Sequence, residues 1–172
     1  MTRRQQLLRG LAVLTTLLVG GGGFRVVGAQ DGGLDLGTVA PSAAVQTLDG
    51  KPVDLAAVIG KGQPAVVEFW ATWCENCEAL LPTIKAAEAK YRGKVKFVGV
   101  SVSVNQSVRR VQRHVAKHGV PGIQLWDAKG DATGKWDVPA TSYVVVLDKA
   151  GKVVYTGVGG KQDLEGAIRK AM

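Results

Sequence analysis

Cys74 and Cys77 are the only cysteines of the chain, and they stand in the run Phe69-Trp70-Ala71-Thr72-Trp73-Cys74-Glu75-Asn76-Cys77. Two thiols three positions apart can exchange a disulfide with another molecule: a thiolate attacks, a mixed disulfide forms, and the second thiol resolves it. As a structural staple the pair would close a very short loop and add little stability. Its spacing therefore points to redox chemistry.

The elements around the pair decide how it would work. Ala65 to Trp70 is a short apolar run, Ala-Val-Val-Glu-Phe-Trp, introduced by Gln63-Pro64. β-Branched and aromatic residues in such a run predict a buried strand. From Glu75 to Tyr91 apolar residues fall at Ala79, Leu80, Ile84, Ala87 and Tyr91, which is helical spacing. The cysteines thus stand where a strand passes into a helix. Backbone N–H groups at a helix start are unpaired and partly positive, and Cys-x-x-Cys pairs there commonly have a lowered first thiol pKa. Cys74 is expected to attack and Cys77, one turn inward, to resolve.

The remaining chain gives an order of elements. Ala43 to Leu48, the Asp49-Gly50 turn and Lys51 to Leu55 predict a small hairpin. Residues 56–63 form a loop or short helix. Val95 to Val102 predicts a second buried strand, and Asn105 or Ser107 caps a helix running to about His118, ended by Gly119 and Pro121. Ile123 to Trp126 suggests a short strand and Asp131 to Trp136 a short helix. Val144 to Leu147 and Val153 to Val158 form a hairpin through the turn Asp148 to Gly151, and Gln162 to Met172 is a terminal helix. That succession predicts an α/β domain, a central mixed sheet with helices on both faces.

The N-terminus has another character. Arg3, Arg4 and Arg9 precede an apolar stretch, Leu11 to Val19, followed by glycines and Val27-Gly28-Ala29. This is the pattern of a secretory leader, with cleavage expected after Ala29. The apolar stretch is short for a membrane span of about 20 residues, so an uncleaved membrane anchor is the secondary reading. The expected organisation is a leader at 1–29, a flexible Gly- and Asp-rich linker at 30–42, and one domain at 43–172, with the mature protein a monomer in the periplasm or cell envelope. Loss of 1–29 removes Arg3, Arg4, Arg9 and Arg25 and no acid, so much of the formal charge of +8 belongs to the leader. Arg109, Arg110 and Arg113 cluster on one predicted helix and read as a solvated face. With no interleaved aromatics they argue against nucleic-acid binding. An acidic protein or an anionic membrane surface stays open as a partner.

Taken together, Trp73-Cys74-Glu75-Asn76-Cys77 after a strand ending Phe69-Trp70-Ala71 resembles the thioredoxin superfamily. Pro82 matches the proline that kinks its active-site helix. Glu68 stands where thioredoxin has a buried Asp, and Val138-Pro139-Ala140-Thr141 looks like the cis-proline loop facing the disulfide. The leader and the Leu48-to-Val53 hairpin are most similar to the TlpA/ResA-type extracytoplasmic branch. The resemblance covers roughly residue 43 to the C-terminus. It implies a thioredoxin-like three-layer α/β/α fold with an N-terminal β-hairpin extension, and an exported thiol–disulfide oxidoreductase that reduces disulfides of envelope proteins. No cofactor beyond the Cys74–Cys77 disulfide and no metal is expected. A membrane thiol donor would re-reduce the pair.

Within that resemblance Glu68 is the candidate acid/base for Cys77, since burial would raise its pKa toward neutrality. Many TlpA-like relatives carry a glutamate three residues after the second cysteine, where this chain has Leu80. Val138 would pair its backbone with a substrate strand beside Pro139. Trp73 would form an apolar rim, with Trp70 in the core. Glu75 and Asn76 replace the Gly-Pro of thioredoxin and would tune the potential: carboxylates at Glu75 and Glu78 oppose a thiolate, which favours a reducing pair. The alternatives are a disulfide-forming oxidase or isomerase of the same fold, or a copper chaperone. Copper-delivery relatives use a spacer one residue longer. His114 and His118 lie i, i+4 on the Arg-rich helix, but far more residues separate Cys77 from His114 than the roughly 12 of a zinc finger. They are expected to be solvated.

Overall fold

A computed structural model of the protein describes residues 32–172. The expected leader and its cleavage point lie outside the described residues. The elements, in order, are β1 (Ala44–Thr47), β2 (Pro52–Asp54), α1 (Leu55–Ile59), β3 (Ala65–Trp70), α2 (Glu75–Tyr91) and β4 (Lys96–Val102). Next come α3 (Val108–His118), β5 (Ile123–Asp127), α4 (Asp131–Lys135), β6 (Tyr143–Leu147), β7 (Val153–Val158) and α5 (Leu164–Ala171).

The seven strands make one mixed sheet in the order β2-β1-β5-β4-β3-β6-β7. Strands β3, β4 and β5 run parallel, joined by helical crossovers, and the hairpins at both edges are antiparallel. This is the thioredoxin-like arrangement expected from the order of elements. The N-terminal hairpin extends the sheet through Gln46 opposite Trp126 and Thr47 opposite Leu125.

Strand β3 lies between β4 and β6, and all six of its residues are buried. Side chains alternate across it. Ala65, Val67 and Phe69 point into one apolar cluster with Leu55, Ile59, Leu125, Trp136 and Tyr143, covered by α1 and α4. Val66 points the other way, against Leu80, Ile84 and Ala87 of α2 and Leu164, Ile168 and Ala171 of α5. Leu80 and Ile168 are fully buried, and each such side chain stabilises the fold by about 1.5–3 kcal/mol. Beyond Val66 on that face come Glu68 and Trp70, the latter in a third cluster with Cys74, Cys77, Val111 and Trp126. The alternation therefore puts a carboxyl beneath the helix that carries the cysteines.

The stretch expected to be a flexible linker is instead laid along the domain from residue 32. The Gly37 N–H donates to the Val153 carbonyl at 2.7 Å, the Ala40 N–H to Gly151 at 3.0 Å, and Val39 bridges Lys152. The Leu34 N–H donates to the Tyr143 hydroxyl at 2.8 Å and the Gly33 N–H to Asp137 Oδ2 at 3.2 Å. Its backbone groups find partners on the β6–β7 turn and the loop before β6, an outcome the composition of the stretch does not announce.

Candidate active site

Cys74 and Cys77 are joined as a disulfide, with Cα atoms 5.2 Å apart. Cys74 is the N-cap of α2 in extended conformation, and its Sγ accepts the Cys77 N–H at 3.0 Å. A sulfur so placed satisfies one of the donors a helix start leaves unpaired. The two residues differ little in exposure, 9% for Cys74 and 7% for Cys77. Their distinction is the cap: Cys74 faces the partly positive end of α2, and Cys77 lies inside the first turn.

The turn that delivers Cys74 is held from outside. Gln106 Oε1 accepts from the Thr72 N–H at 2.9 Å and from the Thr72 hydroxyl at 2.8 Å. Trp73 Nε1–H donates to the Val104 carbonyl at 2.8 Å. Trp73 is 42% exposed and Val104 58%, so together they form an apolar rim beside the disulfide. Trp70 is buried, and its Nε1–H donates to Gln124 Oε1 at 3.1 Å.

A cavity of about 120 Å³ opens over the disulfide, lined by both cysteines, Glu68, Glu78, Trp73 and His114 among others. Glu68 is 7% exposed, and among the described residues its Oε1 has no hydrogen-bond partner. Burial alone pushes its pKa up to about 8, because a buried carboxylate loses its hydration with nothing in exchange. The neighbouring Gln124 offers no relief. Its amide is committed to Trp70 and to the Pro121 carbonyl at 2.7 Å, although it lines a smaller cavity together with Glu68.

Val138 and Pro139 lie in the loop between α4 and β6. Antiparallel pairing sets Tyr143 opposite Phe69, and the Ser142 N–H donates to the Phe69 carbonyl at 2.8 Å. The loop thus enters β6 at the same end of the sheet at which β3 leaves for Cys74. Asp137 and Ser142, with φ of 46° and 64°, bracket it in left-handed conformation. Ser142 is clamped there by its hydroxyl's 3.1 Å bond to the Gly159 carbonyl. Pro139 is exposed and Val138 packs against the core below β3. Neither lines the cavity over the sulfurs. Glu75 does, whereas Asn76 faces Gly160, whose added Cβ would meet the Asn76 carbonyl oxygen at 3.1 Å.

His114 corrects the expectation of a solvated face. It lines the cavity with the cysteines, its ring lies 5.4 Å from Trp70, and it stacks on His118 at 4.3 Å. Burial holds its pKa below the usual value, His118 adds to this, and Glu78 opposes it. Val111, three residues earlier, is fully buried, and that helical spacing was the available signal. Gln106 and Gln124 carry no such signal, since no sequence pattern links them to Thr72 or Trp70. Among the described residues, no group of three or more His, Cys, Asp or Glu could hold a metal ion.

Comparison with known proteins gives a consistent result. The family described as Redoxin matches residues 35–169. The chain is 29% identical over 139 residues to the thiol-disulfide oxidoreductase ResA of Bacillus thuringiensis, covering 80% of this chain and 79% of that one. Among solved structures it is similar to a putative thiol:disulfide interchange protein DsbE from Chlorobium tepidum, with TM-score 0.70, 26% identity, and coverage of 80% of this chain and 98% of that one. It is also similar to a secreted Mycobacterium tuberculosis disulfide oxidoreductase, with TM-score 0.63, 29% identity, and coverage of 76% and 96%.

Proposed function

The chain belongs to the Redoxin family and is a thiol–disulfide oxidoreductase of the ResA and DsbE type, and on that premise we propose that it works outside the cytoplasm as a reductase of disulfides in other envelope proteins. The observation that carries the direction is the acidic first turn of α2, where Glu75 and Glu78 line the same cavity as both sulfurs and oppose a thiolate, while the buried Glu68 keeps its proton near neutral pH and stands ready as the acid/base. A reduced form that is harder to ionise is less stabilised, and the pair is correspondingly more reducing.

In the forward cycle the Cys74 thiolate, stabilised at the helix start, attacks a substrate sulfur. One substrate sulfur leaves as a thiolate and takes up a proton. Glu68 accepts the Cys77 proton, and the Cys77 thiolate then attacks Cys74. The second substrate sulfur departs as a thiolate and takes up a proton, and the Cys74–Cys77 disulfide is left. Trp73 gives the incoming chain an apolar rim, Val138 and Pro139 offer it a backbone edge, and Glu75 and Asn76 tune the potential. Two electrons must then come from a membrane thiol donor, since the compartment is oxidising. Export rests on the basic and apolar pattern of residues 1–29. The word secreted in the name of the mycobacterial relative is in keeping with it.

The test is the reduction potential of the pair, with trapping of partners by Cys77→Ser. A potential near that of thioredoxin, roughly −270 mV, and mixed disulfides with envelope proteins are expected. A value near roughly −120 mV, that of a strong oxidant, would overturn the direction.

A further inference from the structure

The helix beside the disulfide carries cations that make no ion pair among the described residues. Arg110, Arg113 and Lys117, with Thr72, His114 and His118, line an open groove of about 540 Å³. Helix α3 has no acid in its first turn, and among the described residues none of Arg109, Arg110, Arg113 or Lys117 makes an ion pair. The groove is not remote from the chemistry. Thr72 and His114 line both it and the cavity over Cys74 and Cys77.

We propose that this groove is a substrate-docking face that selects proteins carrying an acidic segment next to the disulfide to be reduced. The proposal rests on the reductase reading and names the chemistry of its substrate. The argument is complementarity of charge together with continuity of surface. A chain whose sulfur sits over Cys74 must run outward across one rim or another. Glu75 and Glu78 begin α2 and make that side acidic. Arg110, Arg113 and Lys117 make the Thr72–His114 side basic. An acidic flank is drawn over α3 and repelled from α2, so the two helices set affinity and orientation together. The same cations pressed onto an anionic membrane would bring the shared Thr72–His114 wall against the lipid and close the cavity to protein substrates, which favours a protein occupant.

The experiment compares kcat/KM for the reduction of two disulfide peptides of one length, with dithiothreitol supplying the two electrons that re-reduce the Cys74–Cys77 pair each cycle. One carries three Asp or Glu residues beside its cysteine and the other carries Asn and Gln there. The acidic peptide is expected to be preferred about 10-fold or more at low ionic strength, and the preference should collapse above about 0.5 M salt. In the variant Arg110→Gln/Arg113→Gln/Lys117→Gln, which alters only exposed side chains, the ratio of the two kcat/KM values should fall to near one. A charge-matched control, Lys61→Gln/Lys149→Gln/Lys152→Gln, changes exposed residues at the opposite end of the sheet and should keep the preference. Equal rates for the two peptides, or equal losses of preference in both variants, would overturn the docking face. Binding of the parent to phosphatidylserine vesicles that disappears in the α3 variant, without a peptide preference, would assign the face to a membrane and overturn it too. If the parent reduces neither peptide, the reductase reading fails, and the docking face goes with it.

Discussion

Replacing Glu68 by Gln keeps the shape of a buried side chain and removes its titrating proton. In the folded protein burial holds the carboxyl pKa at about 8, against 4.5 for the unperturbed group. Between those values the folded chain retains a proton that the unfolded chain has released, so stability falls as pH rises. The slope approaches about 1.4 kcal/mol per pH unit, which amounts to about 3 kcal/mol at pH 7 and about 5 kcal/mol above pH 8. Glu68→Gln abolishes the slope. Urea denaturation of the oxidised protein from pH 4 to pH 9 should therefore show the variant near the parent at pH 4 and several kcal/mol more stable at pH 8.5. A gain of this kind in a variant that also slows turnover would mark a strained group kept for its chemistry. The kinetic arm is release of the mixed disulfide: in the parent it should depend on pH around Glu68's own titration, and in the variant that dependence should vanish. Parallel stability curves for the two proteins, or an unchanged rate and pH profile, would refute the argument that burial sets this pKa and that the pKa serves Cys77.

Two further predictions concern the frame that holds the site. Trp136 is fully buried, donates Nε1–H to the Pro41 carbonyl at 3.1 Å and lies 5.5 Å from the Phe69 ring. Trp136→Ala should lower the unfolding free energy by about 3–5 kcal/mol in urea titration, with the disulfide still able to form. Gly122 has a φ of 78°, and an added Cβ would run into the Phe97 carbonyl. Gly122→Ala should therefore lower the melting temperature by several degrees, equivalent to about 1–3 kcal/mol. A neutral result would mean that the α3–β5 connection yields more freely than its packing against β4 allows.

What the sequence made legible was local. The buried run before the cysteines, the helical spacing after them and the Ser107 cap are each written within a few residues, and the carboxyl at Glu68 falls on the helix-covered face by alternation alone. What it hid was made by distant partners. The His114 ring is turned toward the disulfide by packing on Trp70, from a different element, and an i, i+4 pair of histidines among arginines carries no sign of that. Gln124 crosses from β5 to hold Trp70 over Gly99, a residue with no side chain in the way. The stretch from Gly32 to Ala40 holds three glycines and binds through its backbone, and such pairing leaves no hydrophobic period to read.

The Cys77 N–H held by Cys74 Sγ ties the architecture to the electrons. Folding and reduction form one thermodynamic cycle, so any difference in unfolding free energy between the oxidised and reduced proteins must reappear as a difference in potential between the folded and unfolded pairs. About 1.4 kcal/mol corresponds to about 30 mV for two electrons. A thiolate in the cap position would stabilise the reduced fold, and the carboxylates of Glu75 and Glu78 in the first turn of α2 would weaken it. Two denaturation curves, one for each oxidation state, thus weigh those opposing influences without any redox partner present, and relate the strength of a helix cap to a voltage.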